Sequence, residues 1–275
     1  MRALLPLVLT ALVTGLTSVT VRAQSDLNLS LSDQAFEWIA GQIFLNECNA
    51  REDCLVHWNR GEAFPSLGIG HFIWYPMGVE GPFQESFPSL VAFGVQQGVD
   101  VPAWLVSQAP LGAPWPDRDT FLKAVDYDPR VRELREWLAG HQSFQAAFLV
   151  SRAREALEQV ISASGDPAST RRKLDTLVTT PGGVYALVDY VNFKGEGLSK
   201  SERYQGVGWG LLQVLEAMPD NLADRETMLA EFRQAAARVL TRRAGLSERA
   251  IERQQWLPGW LNRVDTYREP GSSDP

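Results

Sequence analysis

Apolar residues recur at helical spacing from about Ser32 to Asn46, at Ala35, Phe36, Ile39, Ile43 and Phe44. A 3.6-residue period puts them on one face of a helix. Ser32 or Asp33 can cap its start. This helix delivers Glu47 at its C-terminal end, directly before Cys48. The pattern then changes. Leu55-Val56-His57-Trp58-Asn59 reads as a strand and Asn59-Arg60-Gly61-Glu62 as a turn. Phe64 to Trp74 is rich in β-branched, aromatic and glycine residues, which predicts a small twisted hairpin or three-stranded sheet. Gly68 and Gly70 weaken a regular strand and mark close backbone approach. Residues 77–118 carry Pro82, Pro88, Pro102, Pro110, Pro114 and Pro116, and predict an irregular packed segment with one or two short helices. From about Pro129 helical patterning runs to the end, over roughly 129–139, 143–163, 168–178, 182–193, 206–216, 224–243 and 247–253. The expected class is α+β, mainly α, with a helix-terminal glutamate, a small β element and a larger helical lobe.

The first residues stand apart. Arg2 precedes an apolar run, Ala3 to Val21, broken by Pro6, Gly15 and several threonines, and small residues flank Arg22 in Val21-Arg22-Ala23. Residues 1–23 read as a signal peptide cut near Ala23 or Gln24. The rival is a retained membrane anchor, because the run is near the ~20 residues that span a bilayer. Pro6 and the threonines weaken that rival. No cysteine near the cut would take a lipid. No second apolar run of spanning length follows. The remainder, 24–275, is long enough for one sizeable core.

Composition changes this picture little: 45% hydrophobic and 21% charged residues suit a globular chain. Charge says more. The net charge is −7, and loss of the leader removes two of 26 basic residues and no acidic one, leaving 24 against 33, or −9. Such a surface is poorly suited to nucleic acid. Cys48 and Cys54 are the only cysteines. In an oxidising compartment they can close a short loop, and two free thiols are the alternative. With His57 as the one added ligand they fall short of a zinc set. There is no Gly-x-Ser-x-Gly, no phosphate-cradling loop and no His-Glu-x-x-His. Neither a nucleotide nor a required metal is expected.

A helix ending in Glu47, then Ser66-Leu67-Gly68-Ile69-Gly70-His71, then helices, resembles the phage-type lysozymes. Their signature is a helix-terminal glutamate followed by a Thr-Ile-Gly-Ile-Gly-His type strand. Ala186 to Glu196 is similar to that family's core helix and following turn. Gly208-Trp209-Gly210-Leu211-Leu212-Gln213 falls at its next helix, and Trp256-Leu257-Pro258-Gly259-Trp260 at its closing arginine-rich and aromatic helices. The resemblance covers about 32–76 and 180–262, and residues 77–180 form a divergent insertion. It implies a single lysozyme-like domain that cleaves a glycan, with Glu47 as general acid. Glycan cleavage needs a proton for the leaving oxygen near neutral pH, and a glutamate desolvated at the edge of an apolar helix can supply it. Ile43, Phe44 and Leu45 stand behind Glu47, with the aromatic strand expected in front. An exposed helix-end glutamate is the alternative.

The family's aspartate would fall at Arg60, which cannot serve. Glu62 is the nearest carboxylate, either a base or electrostatic partner, or a solvated turn residue. An inverting hydrolase wants two carboxyl groups about 6.5–9.5 Å apart, whereas a lytic transglycosylase works with one glutamate. Ser66 replaces the family's threonine and holds water or sugar, or else bonds to backbone. His71 supports the glutamate from behind, as the resemblance implies. Glu196 is a second cleft carboxylate or an exposed turn acid. Trp58, Trp74, Tyr75 and Trp209 are candidates for stacking on sugars, and Gln213 for facing the cleft. The expected partner is a glycan polymer, met by a monomer in the bacterial periplasm or outside the cell. Peptidoglycan leads. An acidic surface gains nothing from long-range attraction to that anionic polymer, so chitosan on a chitosanase-like site is an alternative. A non-catalytic envelope binding protein is another, favoured by the missing aspartate.

Overall fold

The computed structural model describes residues 27, 29, 31–81, 83–200, 202–221 and 224–272. The leader expected at 1–23 lies outside them. The first helix, α1 (Asp33–Cys48), starts where the pattern placed it. Ser32 caps it by accepting from the Ala35 amide at 3.2 Å. It stops at Asn49, whose left-handed backbone (φ 47°) ends the helix one residue after Cys48.

A 3-10 turn (Glu52–Leu55) leads into the small sheet of β1 (Val56–His57), β2 (Ser66–Leu67) and β3 (Phe72–Ile73). The order is β1-β2-β3 and both pairings are antiparallel, with Val56 opposite Leu67 and Ser66 opposite Ile73. The strands are shorter than their apolar runs because the glycines turn the chain between β2 and β3. Gly68 sits at φ 65°, and a Cβ there would lie 2.1 Å from the Gln145 side-chain oxygen. That oxygen accepts from the Ile69 amide at 2.9 Å. The close approach lets a wholly buried Gln145 satisfy the turn's backbone.

Helices α2 (Phe87–Gln97), α3 (Ala103–Val106) and α4 (Arg118–Ala124) interrupt the proline-rich stretch, and α5 (Pro129–Gly140) follows. They pack with the sheet around Trp58, Trp74, Phe87, Trp115 and Phe121, all 1% exposed or less. The proline-rich stretch thus adds an aromatic part to the one hydrophobic core. The long α6 (Gln142–Ala163) touches α1, α2 and α5 as well as α7 (Pro167–Leu177), α8 (Pro181–Lys194) and α9 (Leu211–Glu216).

Every residue from Gly182 to Tyr190 of α8 is buried. A helix enclosed on all sides needs no polar face, which explains its continuous apolar run and isolates Asp189 as an exception. The helix expected over 206–216 is corrected. The chain forms a hairpin, β4 (Arg203–Tyr204) with β5 (Val207–Gly208), before α9. Gly206 at φ 80° supplies the turn. Helix α10 (Arg225–Leu246) follows. The helix expected over 247–253 gives way to a wide π turn (Glu252–Trp256) and then α11 (Leu257–Asp265). Pro258 lies at the start of α11, directly after the π turn. The chain is therefore mainly helical with a small antiparallel sheet. Among the described residues, no helix is long and apolar enough to cross a membrane.

Candidate active site

Glu47, in the last turn of α1, stands at the wall of a cavity of about 460 Å³, lined also by Gly70, His71, Ile73, Gln84, Ser86, Arg152, Asn192, Phe193 and Arg263. Its side chain is 12% exposed. One carboxylate oxygen accepts from Arg263 Nη2 at 2.5 Å and from Asn192 Nδ2 at 3.5 Å. The other faces His71 Nδ1 at 3.5 Å. The surroundings are thus more polar than the apolar pocket expected. Leu45, placed behind the glutamate by sequence, is half exposed on the other side of the helix. A carboxylate at a helix C-terminus meets unfavourable potential, and the Arg263 guanidinium offsets it.

Arg263, on α11, also binds Asp189 through Nε and Nη2, both at 2.9 Å. Asp189 is fully buried, and Tyr267 Oη donates to it at 2.8 Å. Asn46 Nδ2 reaches Asp189 at 3.4 Å and Tyr185 Oη at 2.6 Å. A buried acid is tolerable only with such partners. Burial works against the guanidinium's charge, but Asp189 and then Glu47 hold Arg263 well above its ordinary value. Burial, then the charge of Asp189, pushes Tyr185 and Tyr267 up, so both phenols stay protonated. Asp189 therefore anchors Arg263 in front of Glu47.

Cys48 and Cys54 are disulfide-bonded, closing the chain immediately after Glu47. His71 Nε2 lies 3.6 Å from Cys54 Sγ and 4.0 Å from Cys48 Sγ. The possible ligand atoms of these three side chains lie within 4.8 Å of one another. With the sulfurs bonded to each other, neither is a thiolate, which is the form that ligates. His71 itself adopts φ 47°, a left-handed conformation rare outside glycine. It is held between Glu47 and the disulfide.

Glu196 lines a second cavity of about 190 Å³ with Leu149, Val188, Arg152 and Asn192. The last two also line the Glu47 cavity, so the two cavities adjoin at these side chains. The structure thus gathers Glu47, His71 and Glu196 along a groove. Glu62 and Ser66 are not brought to it. Glu62 accepts from Asn59 Nδ2 at 3.2 Å and from Ser66 Oγ at 3.5 Å, closing its own turn. The stacking expectation is corrected too. Trp58 and Trp74 are core residues of the small lobe, Trp58 donating to the Glu62 carbonyl at 2.9 Å. Tyr75 is buried against Phe64. Trp209 is covered by Tyr204 and by the Arg243 guanidinium, 4.0 Å from its ring. Gln213 accepts from the Gly210 amide at 2.9 Å and lines a separate cavity with Arg203 and Arg242.

Arg263, Asn192, Arg152 and Asp189 were not singled out by sequence. Only Asp189 carried a signal, as a lone acid inside an apolar helix that must find a partner. The chain matches no protein-family model, no curated protein and no solved structure.

Proposed function

We propose that this protein is an exported bacterial envelope enzyme of lysozyme-like fold that cleaves the glycan strands of peptidoglycan, with Glu47 as proton donor. The observation that carries the reading is Glu47 itself, nearly enclosed at a helix end, facing a groove and addressed by Arg263, Asn192 and His71. The disulfide supports export, since such bonds persist in oxidising compartments.

Arg263 has two carboxylate partners, and its paired bonds to Asp189 keep it satisfied when a sugar displaces it from Glu47. Released from Arg263, Glu47 takes up a proton from solvent and passes it to the leaving glycosidic oxygen. No second carboxylate lines the Glu47 lobe among the described residues, Glu62 being engaged elsewhere. This favours transglycosylation over inverting hydrolysis. In that step the C1–O bond breaks and Glu47 gives its proton to the leaving oxygen. The muramic 6-hydroxyl then bonds to C1, returning its proton to Glu47, and no water is consumed. Asn192 orients the carboxylate.

The test is digestion of purified peptidoglycan by the mature protein and by Glu47→Gln, with fragments read by mass spectrometry. The expected result is 1,6-anhydro muropeptides from wild type and none from the variant. Reducing ends instead would refute the transglycosylase step. Release that survives in Glu47→Gln would refute Glu47 as the acid. No release by wild type, with peptidoglycan still bound, would favour a binding protein, to which the lack of a second carboxylate also points.

A further inference from the structure

Arg152 stands where the two lobes of the cleft meet, lining both the Glu47 and the Glu196 cavities. It projects from α6 and is exposed. Its guanidinium carbon lies 5.9 Å from the Phe148 ring centre. Among the described residues, no carboxylate pairs with it. The groove's other guanidinium, Arg263, is occupied by Glu47 and Asp189. In a chain with 33 acidic against 26 basic residues, an unpaired guanidinium is thus presented at the centre of a groove.

We propose that Arg152 is the docking point for a carboxylate carried by the glycan, so that the cleft selects an acid-substituted strand over a neutral or cationic one. The proposal rests on the glycan-cleaving reading of the same cleft. The planar fork of an arginine matches a carboxylate through two parallel hydrogen bonds. The Phe148 ring limits where that fork can lie, and Asn192 beside it ties the position to Glu47. A polyamine sugar chain would instead bring an ammonium group against Arg152, a repulsive contact that disfavours it at this point. Two sources offer the carboxylate. On strands stripped of peptide it is the lactyl group of the muramic residue. On intact strands that group is amide-bonded, and the stem peptide supplies the acid.

The experiment is calorimetric binding in the Glu47→Gln background, so that no ligand is consumed. Three probes are used: a muramic oligosaccharide with free lactyl carboxylates, the same chain bearing stem peptides, and a neutral N-acetylglucosamine oligomer. Adding Arg152→Gln is expected to weaken at least one acidic ligand about tenfold or more and to leave the neutral oligomer unchanged. Arg152→Lys, which keeps charge but loses the fork, is expected to restore part of the affinity. Loss confined to the first probe assigns the lactyl group, and loss confined to the second assigns the peptide. Equal loss on all three probes, no loss on any, or no binding of any acidic probe would overturn the proposal. Binding that depends on Arg152, in a protein that cleaves nothing, would sink the catalytic reading alone and leave the subsite standing.

Discussion

Replacing Arg263 by glutamine removes the single cation that holds two carboxylates. Asp189 is wholly buried and Arg263 is 12% exposed, so solvent screens their interaction little. The substitution deletes both Arg263 bonds to Asp189 and the one to Glu47. It leaves Asp189 with Tyr267 at 2.8 Å and Asn46 at 3.4 Å. Breaking a buried pair by removing one partner costs about 3–5 kcal/mol, because the remaining charge stays buried without its counter-charge. In a chain of this size that corresponds to a melting temperature lower by about 6–20 °C. The assay is urea unfolding followed by circular dichroism, for Arg263→Gln, Asp189→Asn and the double variant. The double variant should be more stable than the sum of the singles by up to about 3 kcal/mol, since Asp189 is then no longer a buried orphan charge and only the partly exposed Glu47 lacks its cation. A cost below about 1 kcal/mol for Arg263→Gln, or additivity within about 0.5 kcal/mol, would refute the anchoring role of Asp189.

Three further outcomes are expected. Glu252 accepts from Tyr204 at 2.7 Å and Arg243 at 3.0 Å, and although burial raises its pKa, these bonds outweigh burial and hold it below the usual glutamate value. A depressed carboxylate contributes stability above its unfolded pKa and loses it as pH falls through the folded one. Wild type should therefore exceed Glu252→Gln in urea midpoint at neutral pH, with the gap closing in acid; a pH-independent gap would contradict the assignment. Trp74→Ala should cost about 3–5 kcal/mol through the cavity it leaves, read by the same unfolding assay. A fully folded variant with weakened sugar binding would instead return Trp74 to the cleft. Replacing Cys48 and Cys54 by serine, which opens a loop with a sequence separation of 6, should cost about 2 kcal/mol. Under the proposed glycan-cleaving function it should also lower cleavage by loosening His71 beside Glu47, whereas unchanged turnover would show that the disulfide serves stability alone.

Much of this arrangement is written locally in the chain. The apolar period before Glu47, the Ser32 cap and the left-handed stop at Asn49 place the glutamate at a helix end without help from elsewhere. Gly68 and Gly70 signal a close backbone approach, which the structure realises as the turn that sets His71 beside it. These features depend on backbone geometry over a few residues, and such geometry is legible in order of sequence. What surrounds Glu47 is not. Arg263 meets it across 216 positions, and Asp189, which fixes Arg263, lies 74 positions away from that arginine. Many acids and arginines in this chain were equally eligible by type, and only the packing of α1, α8 and α11 selects among them. The tryptophans make the same point. An indole offers a sugar-stacking face or a core filler with equal ease, and Trp58 and Trp74 fill the core because the proline-rich segment packs its own rings on them. The sequence alone determined which residue ends the helix. The tertiary structure decided its partners, because side-chain pairing at long separation is set by how whole elements bury their surfaces and not by any period along the chain.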